Sequence, residues 1–411
     1  MILKKKILIS CFLLFFFSCS DDFLDKVPPG VPAENYFYNE KGIDALLTGC
    51  YAMVRGSSLW EVSWGASIQN WTYGSAASDD AYLEPEISGS IPVGDIERWD
   101  VHPTNPYPAD KWRWAFGMGV DRANKTLKVI EKSEKTGSIS VEQAEIFRAE
   151  AKFLRALFNF EAWLVFGDRI PLITETTTDP SKVSNLNPSG KVLEFIVSDL
   201  NYAWEKLPEK QTEPGRPTRF AAMGLAARAY LQELKYSEAK PLLDAIILGG
   251  KYQLMPNFFD NFRIARENNT ESLFEIQANV NDIWESLNAE MGIGLNWPHG
   301  GDIGMCCGFH QASQNLANAF RVDANGLPVF DSFNNTDLKN DMNIRSEDEF
   351  IPAEEQLDPR IDWTISRRGI PFLDWGINRG KDWVRSQRDG GPYLPAIKPF
   401  FYKSQRYTLS T

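Results

Sequence analysis

Residues 141–174 read VEQAEIFRAEAKFLRALFNFEAWLVFGDRIPLIT, and their periodicity decides the fold. Phe147, Ala151, Leu154, Phe158, Ala162 and Val165 recur at steps of three and four. Phe153, Leu157, Phe160 and Leu164 form a second stripe with the same period. One apolar stripe marks a helix lying on a core; two mean a helix packed on two sides. The stretch therefore predicts a central helix over residues 141–166. Gly167 and Asp168, with Pro171 beyond, end it.

Working outward, Lys191–Lys206 reads as a further helix closed by Pro208, and residues 110–134 as one weakened by Gly117 and Gly119. A loop with Pro214, Gly215 and Pro217 leads to Thr218, a candidate N-cap. Beyond it, Ala227, Tyr230, Ala239, Leu243 and Ile246 have the spacing of the packing positions of a tetratricopeptide repeat. Ala227 and Ala239 would let two helices approach, with Tyr230 and Leu243 filling the space around them. The expected fold is mainly α, a tetratricopeptide-like helical scaffold with long loop-rich insertions. Short β-like runs occur only near residues 272–277 and 361–365, and no βαβ alternation is present.

The start of the chain reads as a lipoprotein signal peptide, residues 1–18. Lys4, Lys5 and Lys6 precede an apolar run at 7–17, too short to span a bilayer. Ser18-Cys19 then gives way to acidic residues, so Cys19 is the expected lipidation site. An ordinary signal peptide, with Cys19 incidental, is the alternative. After residue 18, 40 Lys and Arg face 55 Asp and Glu, a net charge of −15. That balance argues against nucleic acid, whose phosphates are bound by basic side chains. Cys50, Cys306 and Cys307 form neither a disulfide framework nor a zinc pattern.

Motifs for nucleotide binding, serine hydrolysis and zinc proteolysis are missing from the sequence. Three His leave little for acid–base chemistry, while Trp, at 13, is as frequent as Tyr. Residues 56–109 and the chain from 277 onward combine Trp with Gly, Asn, Asp and Pro, and long loops of this kind commonly carry function. A pyranose presents a flat C–H face that stacks on an aromatic ring, and a rim of hydroxyls that bonds to Asp or Asn. Trp71, Tyr82, Trp99, Trp284 and Trp297 are the expected stacking platforms, with Asp80 and Asn105 as hydroxyl partners. Trp112, Trp114, Trp163 and Trp204 lie on predicted helices and are read as packing. Asp79 and Asp80 are adjacent and would point apart, which disfavours a catalytic dyad. No catalytic residue, metal or cofactor is assigned.

Several segments together resemble the SusD/RagB family, cell-surface glycan-binding lipoproteins of Bacteroidota. They are CSDDFLD at 19–25, ASDDA at 77–81, residues 148–174, the repeat at 216–254, QNLANAFRVDANGLPV at 314–329 (with Asn325 where Asp is usual) and LDPR at 357–360. The resemblance implies a scaffold of tetratricopeptide-like units over 19–276 and a loop-rich region over 277–411. It also implies a lid-like partner of a SusC-like TonB-dependent transporter, held at the outer membrane, capturing oligosaccharide or polysaccharide without catalysis. The family continues past the point corresponding to residues 405–411, so the C-terminal region is expected to be truncated. A glycoside hydrolase or lyase on a helical scaffold, and a tetratricopeptide protein-interaction adaptor, are the other readings.

Overall fold

The computed structural model describes residues 34–54, 56, 64–66, 68, 70–83, 92–277, 300 and 310–396. Cys19, Trp284, Trp297, Cys306 and Cys307 lie outside the described residues. The helices of the first part are α1 (Glu40–Val54), α2 (Val93–Glu97), α3 (Pro106–Trp112), α4 (Asp121–Lys135), α5 (Val141–Phe166), α6 (Lys191–Lys206), α7 (Arg219–Gln232) and α8 (Tyr236–Leu248). From α4 to α8 each helix packs on the next, and α1 lies across α4 and α5. This stacking of neighbours is that of a helical-repeat scaffold, and the chain is mainly helical.

The predicted central helix is α5, with the same ends. Ser140 accepts the Gln143 N–H at 3.1 Å, and the Gln143 side chain accepts the Ser140 N–H at 3.0 Å. This reciprocal capping satisfies two donors that a helix start leaves open. Gly167, at φ +58°, ends the helix. Both stripes are buried along the middle of the helix, Ala151, Leu154, Phe158 and Ala162 on one and Phe153, Leu157 and Phe160 on the other, while Phe147, Leu164 and Val165 towards the ends are half-buried. Thr218 caps α7 by accepting the Ala221 N–H at 3.2 Å. Ala227, Ala239 and Ile246 are buried in this hairpin as expected. Leu243 is not; it faces solvent, and Leu242 packs inward in its place.

Residues 110–134 do not form one α-helix. They run through α3, a π-helical segment (Arg113–Val120) and α4. A Cβ on Gly119 would lie 2.3 Å from the Phe158 ring, so this glycine admits close contact with α5 rather than merely weakening a helix. An inserted residue in such a turn accommodates the approach.

The remaining elements are short: strands β1 (Ala81–Leu83), β2 (His310–Ala312), β3 (Ile365–Ser366) and β4 (Leu394–Pro395), and helices α9 (Gln314–Asn318), α10 (Ile361–Thr364) and α11 (Gln387–Gly390). β1 pairs antiparallel with β2, setting Tyr82 opposite Gln311, and β3 pairs antiparallel with β4. A strand from the N-terminal loops thus pairs with one from the loop-rich second part. Two β-like runs are corrected. Residues 272–277 form no strand: Phe274 packs edge-on against Phe153 at 5.1 Å, so the run is held by side chains rather than by a ladder. Most of 361–365 is the turn α10, whose Trp363 and Thr364 N–H groups both donate to the Arg360 carbonyl.

Candidate functional site

Alternation along β1 decides which residues of the N-terminal loops face outward. Ala81 and Leu83 point inward, Leu83 into a cluster with Trp71, Ala76, Val93, Ile96 and Tyr107. Tyr82 points the other way and is 36% exposed. The loop before it is fastened from the far end of the sequence. The Ser313 N–H donates to the Asp80 carbonyl at 2.9 Å, and the Ser313 hydroxyl donates to the Asp79 carbonyl. That hydroxyl also accepts the Leu316 N–H at 3.0 Å, capping α9. Asp79 and Asp80 are therefore held by their backbones, and both residues are exposed.

Trp99 follows α2. It is 80% exposed, with φ at +58°. A bulky residue in the left-handed region is uncommon, and here little packing repays it. Its position is fixed by neighbours. The Trp99 N–H donates to the Ile96 carbonyl at 3.1 Å. The Glu97 carboxylate accepts the Leu83 N–H at 2.9 Å, joining α2 to β1. Burial raises the Glu97 carboxyl above its ordinary range. Thus Trp99 and Tyr82 are carried by adjoining elements tied through one carboxylate.

Two expected contact residues have other work. Trp71 is 7% exposed, and its ring packs 5.4 Å from that of His310. His310 in turn meets the Ser75 hydroxyl at 2.6 Å. Trp71 therefore closes the small core beneath β1 and offers no open face. Asn105 is buried as well. Its amide donates to the Pro92 carbonyl at 2.7 Å and to Asp95 at 3.1 Å. Its oxygen accepts the Tyr107 N–H at 3.0 Å and caps α3. Asn105 thus clamps α2, the helix that Trp99 follows, to α3. Of the described candidates, Trp99, Tyr82 and Asp80 remain exposed, on segments that Glu97, Asn105 and Ser313 hold in place. Nothing in the sequence marked Glu97; Ser313 ahead of Leu316 has the spacing of a helix cap.

Described clefts lie elsewhere. One of about 610 Å³ runs past Arg216, Tyr252 and Asn268 on the scaffold. Trp99, Tyr82 and Asp80 stand at the surface, two aromatic rings and a carboxylate open to solvent. Such a surface stacks and hydrogen-bonds; among the described residues no group of three or more His, Cys, Asp or Glu is placed to hold a metal ion. Cys50 is buried beside the Thr126 hydroxyl, at 3.6 Å, and burial pushes its thiol up to about 11. Trp114 and Trp163 are buried in the helical core and Trp112 and Trp204 pack against it, as read from the sequence.

The family described as "Starch-binding associating with outer membrane", a SusD-like family, matches residues 22–231. A SusD-like protein of Bacteroides ovatus is 26% identical over 285 residues, covering 67% of this chain and 50% of that protein. The chain spans about half the length of the curated relatives it matches. A SusD superfamily protein of Bacteroides vulgatus has a similar fold, with a TM-score of 0.65 at 19% identity, over 90% of this chain and 69% of that one. A laminarin-binding SusD-like protein aligns with a TM-score of 0.62 at 22% identity, over 88% and 72%. No helix among the described residues is long and apolar enough to cross a membrane.

Proposed function

We propose, from the premise that this chain belongs to the SusD-like family, that it is a non-catalytic glycan-binding lipoprotein of the outer membrane. Anchored through Cys19 at the cell surface, it captures oligosaccharide or polysaccharide and delivers it to a SusC-like TonB-dependent transporter. The observation that carries the binding step is Trp99: a bare indole, presented by a left-handed turn at the end of α2, which is tied to the strand of outward-facing Tyr82. A pyranose laid on the indole buries its C–H face while its hydroxyls reach the Asp80 carboxylate. Glu97 and Asn105 already fix the backbone of the turn that presents the ring, so little backbone ordering is added on binding. Trp284 and Trp297 are proposed as further stacking platforms.

Affinity gel electrophoresis of residues 20–411 against laminarin, soluble starch, xyloglucan and galactomannan tests this. Retardation by at least one polymer, without release of reducing ends, is expected. Binding to none would refute the reading, and reducing-end release would replace it with catalysis.

A further inference from the structure

We propose that Trp363 is a second glycan-stacking platform, separate from the Trp99 surface and suited to a neutral polysaccharide. The proposal rests on the glycan-binding reading above.

Trp363 lies on α10, the turn that follows LDPR. Its indole stacks on the ring of Phe259 with centroids 4.3 Å apart and planes inclined by 28°. Phe259 is 7% exposed, so it forms a buried floor; Trp363 is 40% exposed. The stack covers one indole face, leaving the exposed area to the opposite face and the ring edge. A ring backed in this way is held still before any ligand arrives, which spares the ordering cost that weakens most surface contacts.

The charged residues next to Trp363 in the sequence point to the kind of ligand. Arg360 holds Asp358, its Nε 3.0 Å from both carboxylate oxygens. Arg367 holds Asp362 through two bonds of 2.7 and 2.8 Å. Each carboxylate is matched by its own guanidinium, so this segment carries fixed hydrogen-bonding groups and little net charge. A carboxylate oxygen that accepts from arginine has a further lone pair for a hydroxyl. An aromatic face on a segment whose charges are paired suits a neutral, hydroxyl-rimmed sugar better than a polyanion.

The two platforms belong to one packed layer. Trp363 precedes β3, which pairs with β4; β4 lies against β2, which pairs with the β1 strand of Tyr82. Two sites carried at a fixed separation strengthen the binding of a polymer that spans them, and not that of an oligosaccharide that reaches only one.

The test uses residues 20–411, Trp363→Leu and Trp363→Phe, and whichever neutral polymer of laminarin, soluble starch, xyloglucan and galactomannan retards the parent protein most. Leu keeps Phe259 covered but has no flat face; Phe keeps both. Trp363→Leu is expected to weaken polymer binding about fivefold or more, with hexasaccharide affinity unchanged and Trp363→Phe close to the parent. Parent-like polymer binding by Trp363→Leu overturns this proposal and leaves the Trp99 reading standing. Equal loss for polymer and hexasaccharide also overturns it, since the two surfaces would then be one site. A parent protein bound by none of the polymers removes the glycan reading and this proposal together.

Discussion

Replacing Trp99 by glycine should make the protein more stable and a poorer binder. Trp99 sits at φ +58°, where an L-residue pays roughly 1–2 kcal/mol against its Cβ. Glycine escapes that cost but gives back about 0.5–1 kcal/mol through the greater freedom of its unfolded chain. At 80% exposure the indole contributes little packing to lose. The net expectation is a gain of about 0.5–1 kcal/mol. Binding moves the other way. Full burial of a Trp covers roughly 150–250 Å², and one stacked face about a third of it. At ~25 cal/mol per Å² this is about 1.8 kcal/mol, or roughly twentyfold in Kd. Urea unfolding and affinity gels on the same preparations read the two effects. Trp99→Ala keeps the backbone strain, so it should lose binding at least tenfold, or ~1.4 kcal/mol, without the gain in stability. A glycine variant that is less stable than the parent, or that binds as tightly, would refute the reasoning.

Other expectations concern the scaffold. Arg155 is buried and bonds Asp199 at 2.6 and 2.8 Å, Asn124 at 2.7 Å and Glu175 at 2.5 Å, joining α4, α5, α6 and the 175 loop. Arg155→Met should cost about 3 kcal/mol, near the low end for breaking a buried pair because Lys152 still holds Asp199, and Asp199→Leu added to it should recover much of the loss in urea titrations. Lys111 and Glu161 meet at 3.4 Å in the core, where burial lowers the amine and raises the carboxyl, so Lys111→Met with Glu161→Leu should unfold no earlier than the parent, while either alone unfolds earlier. Gly119→Ala should lower stability by about 1–3 kcal/mol, because its Cβ would meet the Phe158 ring. In residues 20–411 carrying Cys306→Ser and Cys307→Ser, Cys50 should resist a disulfide reagent at pH 8 and react once urea unfolds the chain, since burial pushes its thiol up to about 11.

The central helix and the repeat hairpin were legible because their signals are local. The two stripes of α5, the Thr218 cap and the Ala227–Ala239 spacing lie within a turn or two of what they control. Leu243 was misread because adjacent Leu242 and Leu243 are equivalent in composition, and the helix rotation picks the inward one. The break in residues 110–134 was half visible: the glycines stand in the sequence, but the Phe158 ring that requires Gly119 comes from another helix.

At the surface the division is sharper. Sequence alone determined a mainly helical scaffold, an acidic chain without catalytic motifs, and aromatic-rich loops suited to stacking, because periodicity, charge and composition need no partner to be read. Which of those aromatics is open was decided only by tertiary structure. Trp71 and Trp99 are the same residue type in the same loop-rich stretch; one fills a core under β1 and the other stands in solvent. That difference arises where β1 meets β2, more than 200 residues away, and where Glu97 and Ser313 bind its backbone. Burial is a property of what else occupies the space, and no neighbour in sequence specifies it.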